Sequence, residues 1–167
     1  THPALIRYII DRGIDETIAK KYCKEVRYLS NGREYFSVGF ENDQGGFELR
    51  NSIYKNCSSP KCPTRIKNGS EALIILEGFI DFLSLLTGSD ESRQGYDFLI
   101  LNSASFAKSV DLKTLQSYDD IFLFLDNDEA GRKASDIFLS SDLKVTDCSL
   151  LYEDYNDIND WLVNRHS

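Results

Sequence analysis

The stretch DDIFLFLDNDEAGRKASD, residues 119–136, decides the reading of this chain. A run of apolar residues, Ile121 to Leu125, leads directly into Asp126, Asn127, Asp128 and Glu129, and a helix-like segment opens around Gly131. So short a continuous apolar run reads as a strand buried on both faces. Carboxylates repel one another, so a strand that delivers several of them to one corner needs a physical reason.

Working outward, ALIIL (72–76) and FLIL (98–101) follow the same grammar. Helix-like sequence follows each of the three runs, at 79–87, 105–117 and 130–140. Doubly apolar strands alternating with helices predict an α/β domain with a parallel sheet and helices on both faces. A fourth strand is expected near 144–151, and DINDWLVNR is expected to close the chain as a helix. Toward the N-terminus, residues 3–12 and 15–24 read as helices separated by Gly13, with Ile14, Ile18 and Tyr22 at four-residue spacing and Asp15 as N-cap. REYFSVGFENDQGGFELRN (33–51) alternates about Gly45-Gly46 and predicts a β-hairpin. Residues 51–70 hold two prolines and two cysteines without periodicity, which reads as a loop. That loop is taken as the seam between a small mixed α/β subdomain, 1–70, and the α/β domain, 71–167.

A chain of 167 residues suits one domain or a domain with a small companion. No apolar run reaches the length of a membrane span, a secretory leader is not expected, and the absence of Met suggests a piece of a longer protein. The cysteines, Cys23, Cys57, Cys62 and Cys148, read as reduced thiols of a cytoplasmic protein. Cys57 and Cys62 are the one close pair, and no second pair completes a zinc site. The two histidines, His2 and His166, stand near the termini, which argues against Ser-His or Cys-His nucleophilic catalysis. Net charge is −8, but residues 1–70 carry 12 Lys/Arg against 8 Asp/Glu, while residues 71–167 carry 7 against 19. Such a split points to a basic face for a polyanion and an acidic site for cations.

Open parallel sheets bind ligands beyond the carboxyl ends of their strands. There Leu76 leads to Glu77-Gly78 and Leu125 to Asp126-Asn127-Asp128. If the two strands are neighbours, Glu77, Asp126 and Asp128 share one cluster, with Asp81 a helical turn beyond Glu77. Helix capping would explain Asp81, Asp128 or Glu129 taken singly. Crowding them together raises their pKa values and destabilises the fold unless a hard divalent ion, Mg²⁺ or Mn²⁺, removes the repulsion.

These residues carry a resemblance. LIILEGFIDFLSLL followed by IFLFLDNDEAGRKA resembles the Toprim domain of bacterial-type primases, type IA and II topoisomerases and some nucleases. That family is marked by an acid plus Gly after its first strand and D-x-D after a later one, here Glu77-Gly78 and Asp126-x-Asp128. The primase branch fits best: its E-G-x-x-D spans Glu77 to Asp81, and its D-x-D-x-A-G runs through Asp126, Asp128, Ala130 and Gly131. A later acid corresponds to Asp157 in YNDINDWL, where Asn156 replaces the usual lysine. The N-terminal part is also similar to the small domain that precedes Toprim in primases.

The resemblance implies a DNA primase-type nucleotidyltransferase that makes short RNA primers on single-stranded DNA from nucleoside triphosphates, with a replicative helicase as a further partner. It implies two ions, one on Asp126 and Asp128, another supported by Asp81 and Asp157, with Glu77 as metal ligand or general base. Arg50, Lys55 and Lys61 would meet template or triphosphate phosphates. A Toprim nuclease using the same acids, and a catalytically idle Toprim nucleic-acid-binding module, are the alternatives. A haloacid-dehalogenase phosphatase fits less well because Ala130 stands where it needs Thr or Val, and a receiver domain would not need Glu77. No Walker-type or G-x-G-x-x-G phosphate loop is present.

Overall fold

The structure, a computed structural model, describes residues 1–89 and 95–165; His166 lies outside them. The chain divides into two compact units, Thr1–Cys62 and Pro63–Ser167.

In the first unit, helix α1 (Pro3–Asp11) starts where Pro3 has no amide hydrogen to satisfy and His2 accepts the Ala4 amide. Gly13, at φ +66°, turns the chain into α2 (Glu16–Tyr22), and Asp15 caps α2 by accepting the Thr17 and Ile18 amides. Strands β1 (Lys24–Ser30), β2 (Arg33–Glu41), β3 (Phe47–Arg50) and β4 (Lys55–Cys57) form an antiparallel sheet in that order. The expected hairpin about Gly45-Gly46 is β2–β3. β1 is a strand the periodicity did not predict. It is joined to β2 by Asn31-Gly32, both at positive φ, a turn whose twist suits a tight hairpin.

The second unit opens with β5 (Thr64–Ile66), inside the stretch expected to be loop, so 51–70 carries two short strands and the division falls after Cys62. β6 (Ala72–Leu76), α3 (Phe79–Gly88), β7 (Asp97–Ile100), β8 (Asp120–Phe124), α4 (Glu129–Leu139), β9 (Val145–Asp147) and α5 (Ile158–Asn164) follow. The sheet order is β5-β7-β6-β8-β9; β6 through β9 are parallel and β5 is an antiparallel edge. The helix expected at 105–117 is instead two 3₁₀ turns, Ala104–Ser109 and Leu112–Leu115, and the fourth strand shortens to Val145–Asp147 before another 3₁₀ turn, Ser149–Tyr152.

The three central strands are buried on both faces, which is why ALIIL, FLIL and IFLFL are continuous apolar runs. Leu73, Ile75, Leu99, Leu101, Ile121 and Leu123 pack with Ala134 and Phe138 of α4. On the opposite face Phe98 meets Phe82 of α3 edge-on, ring centroids 5.0 Å apart. No described helix is long and apolar enough to cross a membrane.

Candidate functional site

β6 and β8 are hydrogen-bonded parallel neighbours with Leu76 opposite Phe124. The chain therefore leaves both strands side by side, Glu77 one residue past that pair and Asp126 two. Glu77 and Asp126 are half-buried, and Oε2 of Glu77 is sealed from solvent. Asp81, in the first turn of α3, is buried and accepts the Gly78 amide at 3.1 Å. Asp157 caps α5, accepting the Asp160 amide at 2.8 Å.

The Asp81 carboxyl is held well above the ordinary aspartate range, first by burial and then by the charges of Asp126, Asp157 and Glu77. Acids from three stretches of the sequence, Glu77 with Asp81, Asp126 and Asp157, thus meet around Asp81 at the carboxyl edge of the sheet. Asp128 is exposed and caps α4, accepting the Gly131 amide at 2.8 Å. These caps do not use up the carboxylates, since each offers two oxygens with several lone pairs.

Gly131 explains the close fit of α4 to the strand end. A Cβ there would stand 2.1 Å from the Asp126 carbonyl oxygen, so only glycine lets the helix start this near the carboxylate-bearing turn.

Several positioning residues escaped the sequence reading. Asn127 sits between the two aspartates and donates from Nδ2 to the carbonyls of Tyr152 (3.1 Å) and Tyr155 (2.9 Å), while its amide donates to Asn156 O at 2.7 Å. It fastens to the strand end the loop that carries Asp157. Buried Asn159 then ties α5 to α3 through Ser84 Oγ at 2.8 Å. Tyr152 donates to Leu125 O at 2.8 Å; its phenol is pushed up by burial and then by Asp81 and Asp126, which places it behind the acids. The available signal was polar residue types at positions where a helix or strand end needs a partner.

Among the described residues no three acid, histidine or cysteine side chains are placed so that together they could hold a metal ion. The donor set nevertheless fits a hard divalent cation: it is all oxygen, anionic and mutually repulsive. In the first unit, Glu48 is pushed up by burial while Arg50, Lys55 and Lys61 each pull it back, so the three expected cations share one neighbourhood. Arg50 is largely buried, 3.4 Å from Glu48 and donating to Leu49 O and Asn56 O, whereas Lys55 and Lys61 are exposed. All four cysteines are free thiols.

Solved structures share this fold. The primase fragment of the bacteriophage T7 primase-helicase matches with TM-score 0.65 at 24% identity, over 94% of this chain and 68% of that one. The T7 lagging-strand DNA polymerase assembly with primase domains bound to an RNA/DNA hybrid and dTTP matches at 0.66 and 24%, over 94% of this chain and 84% of that one. The Aquifex aeolicus primase, comprising zinc-binding and RNA polymerase domains, matches at 0.58 and 18%; 97% of this chain covers 53% of it. No curated protein matches. Residues 1–59 match a family described only as a domain of unknown function. Residues 74–162, more than half of the chain and including Glu77, Asp81, Asp126, Asp128 and Asp157, match the Toprim-like family model, and the chain belongs to that family.

Proposed function

We propose that this chain is the catalytic core of a DNA primase, joining nucleoside triphosphates into short RNA on single-stranded DNA. The observation that carries the reading is that Asp126, Asp157 and Glu77 all stand close enough to the buried Asp81 for their charges to act on it at the carboxyl edge of the sheet. The primase fold of the neighbouring structures favours nucleotidyl transfer over phosphodiester cleavage by the same acids.

Asp126 and Asp128 would hold one Mg²⁺ or Mn²⁺, and Asp81 and Asp157 would support a second. Bound there, such ions supply charge neutralisation at the attacking 3′-hydroxyl and the pyrophosphate leaving group. The chain's own part is placement. Burial fixes Asp81, the Asn127 clasp fixes the approach to Asp157, and Gly131 brings α4 against the Asp126 turn. Glu77, half-buried beside these acids, either joins the ligands or receives the hydroxyl proton; the pH profile of Glu77→Gln separates the two roles. Lys55 and Lys61 meet phosphates through charge, with Arg50 behind them bracing β4. A replicative helicase is the expected partner in the cell.

The chain is tested by incubation with single-stranded DNA, nucleoside triphosphates and Mn²⁺. Short RNA that disappears with EDTA and with Asp126→Asn is expected. Shortened DNA in place of new RNA would identify a nuclease. Tight DNA binding with neither product would identify a binding module.

A further inference from the structure

We propose that Tyr28, Tyr35 and Tyr54 form a stacking platform for unpaired nucleic-acid bases on the first sheet, with Arg33 placed for the adjoining phosphate. The proposal rests on the nucleic-acid reading above but needs neither the acidic cluster nor catalysis.

Strand alternation divides the β1–β2 hairpin into two faces. One carries Phe36 and Val38: the His2 ring stacks on Phe36 at 4.0 Å, and Leu5, Ile9 and Ala19 share a cavity with Val38, so α1 and α2 cover that side. The other face carries Tyr28 and Tyr35, directly opposite across the pair, with Arg33 two residues before Tyr35 on the same side. Their rings lie 5.7 Å apart and nearly parallel, at 18°. Tyr54 adds a third ring edge-on to Tyr35, at 5.6 Å and 86°.

These rings are not core. Tyr28 and Tyr35 are half-buried, Tyr54 is 48% exposed, and its neighbour Ile53 is 76% exposed. Arg33 is exposed and makes no ion pair among the described residues, whereas Arg27 on the opposite face is bound to Glu25 and Glu34. Adjacent aromatic faces beside a cation complement a base and its phosphate, and every base offers a π-face. Tyrosine and arginine suit protein interfaces as well, so a second copy of this chain is the competing occupant that the test below excludes.

The whole chain is titrated with fluorescein-labelled oligothymidylate in EDTA, so that the acids hold no cation. Tyr35→Leu should weaken binding about 5- to 150-fold, the range for losing one stacked base, while Tyr35→Phe should bind like the parent. Tyr54→Ala, an exposed change that leaves the fold alone, should also weaken it. Arg33→Gln should lower the slope of log affinity against log salt by about one. Photo-crosslinks from an iodouracil-substituted strand should map to the three tyrosines. Parental affinity in both Tyr35→Leu and Tyr54→Ala, or crosslinks mapping elsewhere, overturns the platform. A dimer lost in Tyr54→Ala at unchanged DNA affinity also overturns it, assigning the patch to a second copy. Primer synthesis is scored separately: its absence from the parent defeats the primase reading while leaving an EDTA-insensitive, tyrosine-dependent affinity in place.

Discussion

Two buried aspartates stand at opposite ends of the same sheet, and the fold treats them in opposite ways. Asp97 begins β7 and is 3% exposed. Its Oδ1 accepts the Asn68 and Ser70 amides at 2.7 and 3.2 Å, and its Oδ2 accepts the Tyr118 hydroxyl at 2.7 Å, with Lys67 Nζ 3.4 Å away. Burial pushes that carboxyl up, but the Tyr118 hydroxyl, the two amides and Lys67 outweigh it and bring it to about 2. Asp81, past the other end of β6, receives the Gly78 amide and otherwise faces Asp126, Asp157 and Glu77. A carboxylate that serves the fold is ringed by donors. Asp81 is ringed by its own kind, a repulsion that the proposed cation would relieve.

The sharpest test of that contrast exchanges function at one end and stability at the other. Asp126→Asn should reduce metal-dependent product formation by about 100-fold or more, with Tm little changed. Asp97→Asn should leave product formation alone. If both variants lose activity alike, the division between the two ends is wrong. Next in size is Gly131→Ala. Its methyl would meet the Asp126 carbonyl at 2.1 Å, and backbone cannot swing aside as a side chain can, so about 3 kcal/mol of stability should be lost in urea titration.

Much of the acidic end was legible before any coordinates. Parallel strands that are apolar on both sides announce themselves, and the D-x-D and E-G motifs fall where such strands must end. The donor-rich end was opaque, because nothing in YDFLI tells that Asp97 will meet Tyr118 and two amides from a distant loop. The 3₁₀ turns at 104–109 and 112–115 were misread for a related reason: apolar spacing signals burial, and Val110 and Leu115 are buried without an intervening α-helix. β1 is different, since Asn31-Gly32 is itself a strong local hairpin signal between two strands. Thr64–Ile66 is held by long-range pairing to β7, which no local pattern encodes, whereas Lys55–Cys57 pairs with neighbouring β3 across the short turn at 51–54.

The third prediction quantifies the donor-rich end. The folded carboxyl of Asp97 lies below its ordinary value of 3.8, so its contribution is fully present above about pH 4 and is lost as pH falls toward 2. Asp97→Asn should therefore lower stability by about 2 kcal/mol at neutral pH and erase part of the acid sensitivity. Denaturant titrations at pH 7 and pH 3 check this, the two proteins drawing closer at the lower pH.

The smallest effect has the opposite sign and belongs to Asp81. Its folded pKa lies above its unfolded value, so the proton-bearing form favours the fold, and stability declines as pH rises from about 4 through the folded pKa. Asp81→Asn removes the charge while its side-chain carbonyl can still accept the Gly78 amide. In EDTA the variant should melt slightly above the parent at pH 7 and no higher at pH 4. Adding Mg²⁺ or Mn²⁺ should raise the parent's Tm more than the variant's, because only the parent has repulsion left to relieve. A variant less stable than the parent at pH 7 in EDTA would mean that Asp81, like Asp97, is retained for its hydrogen bond.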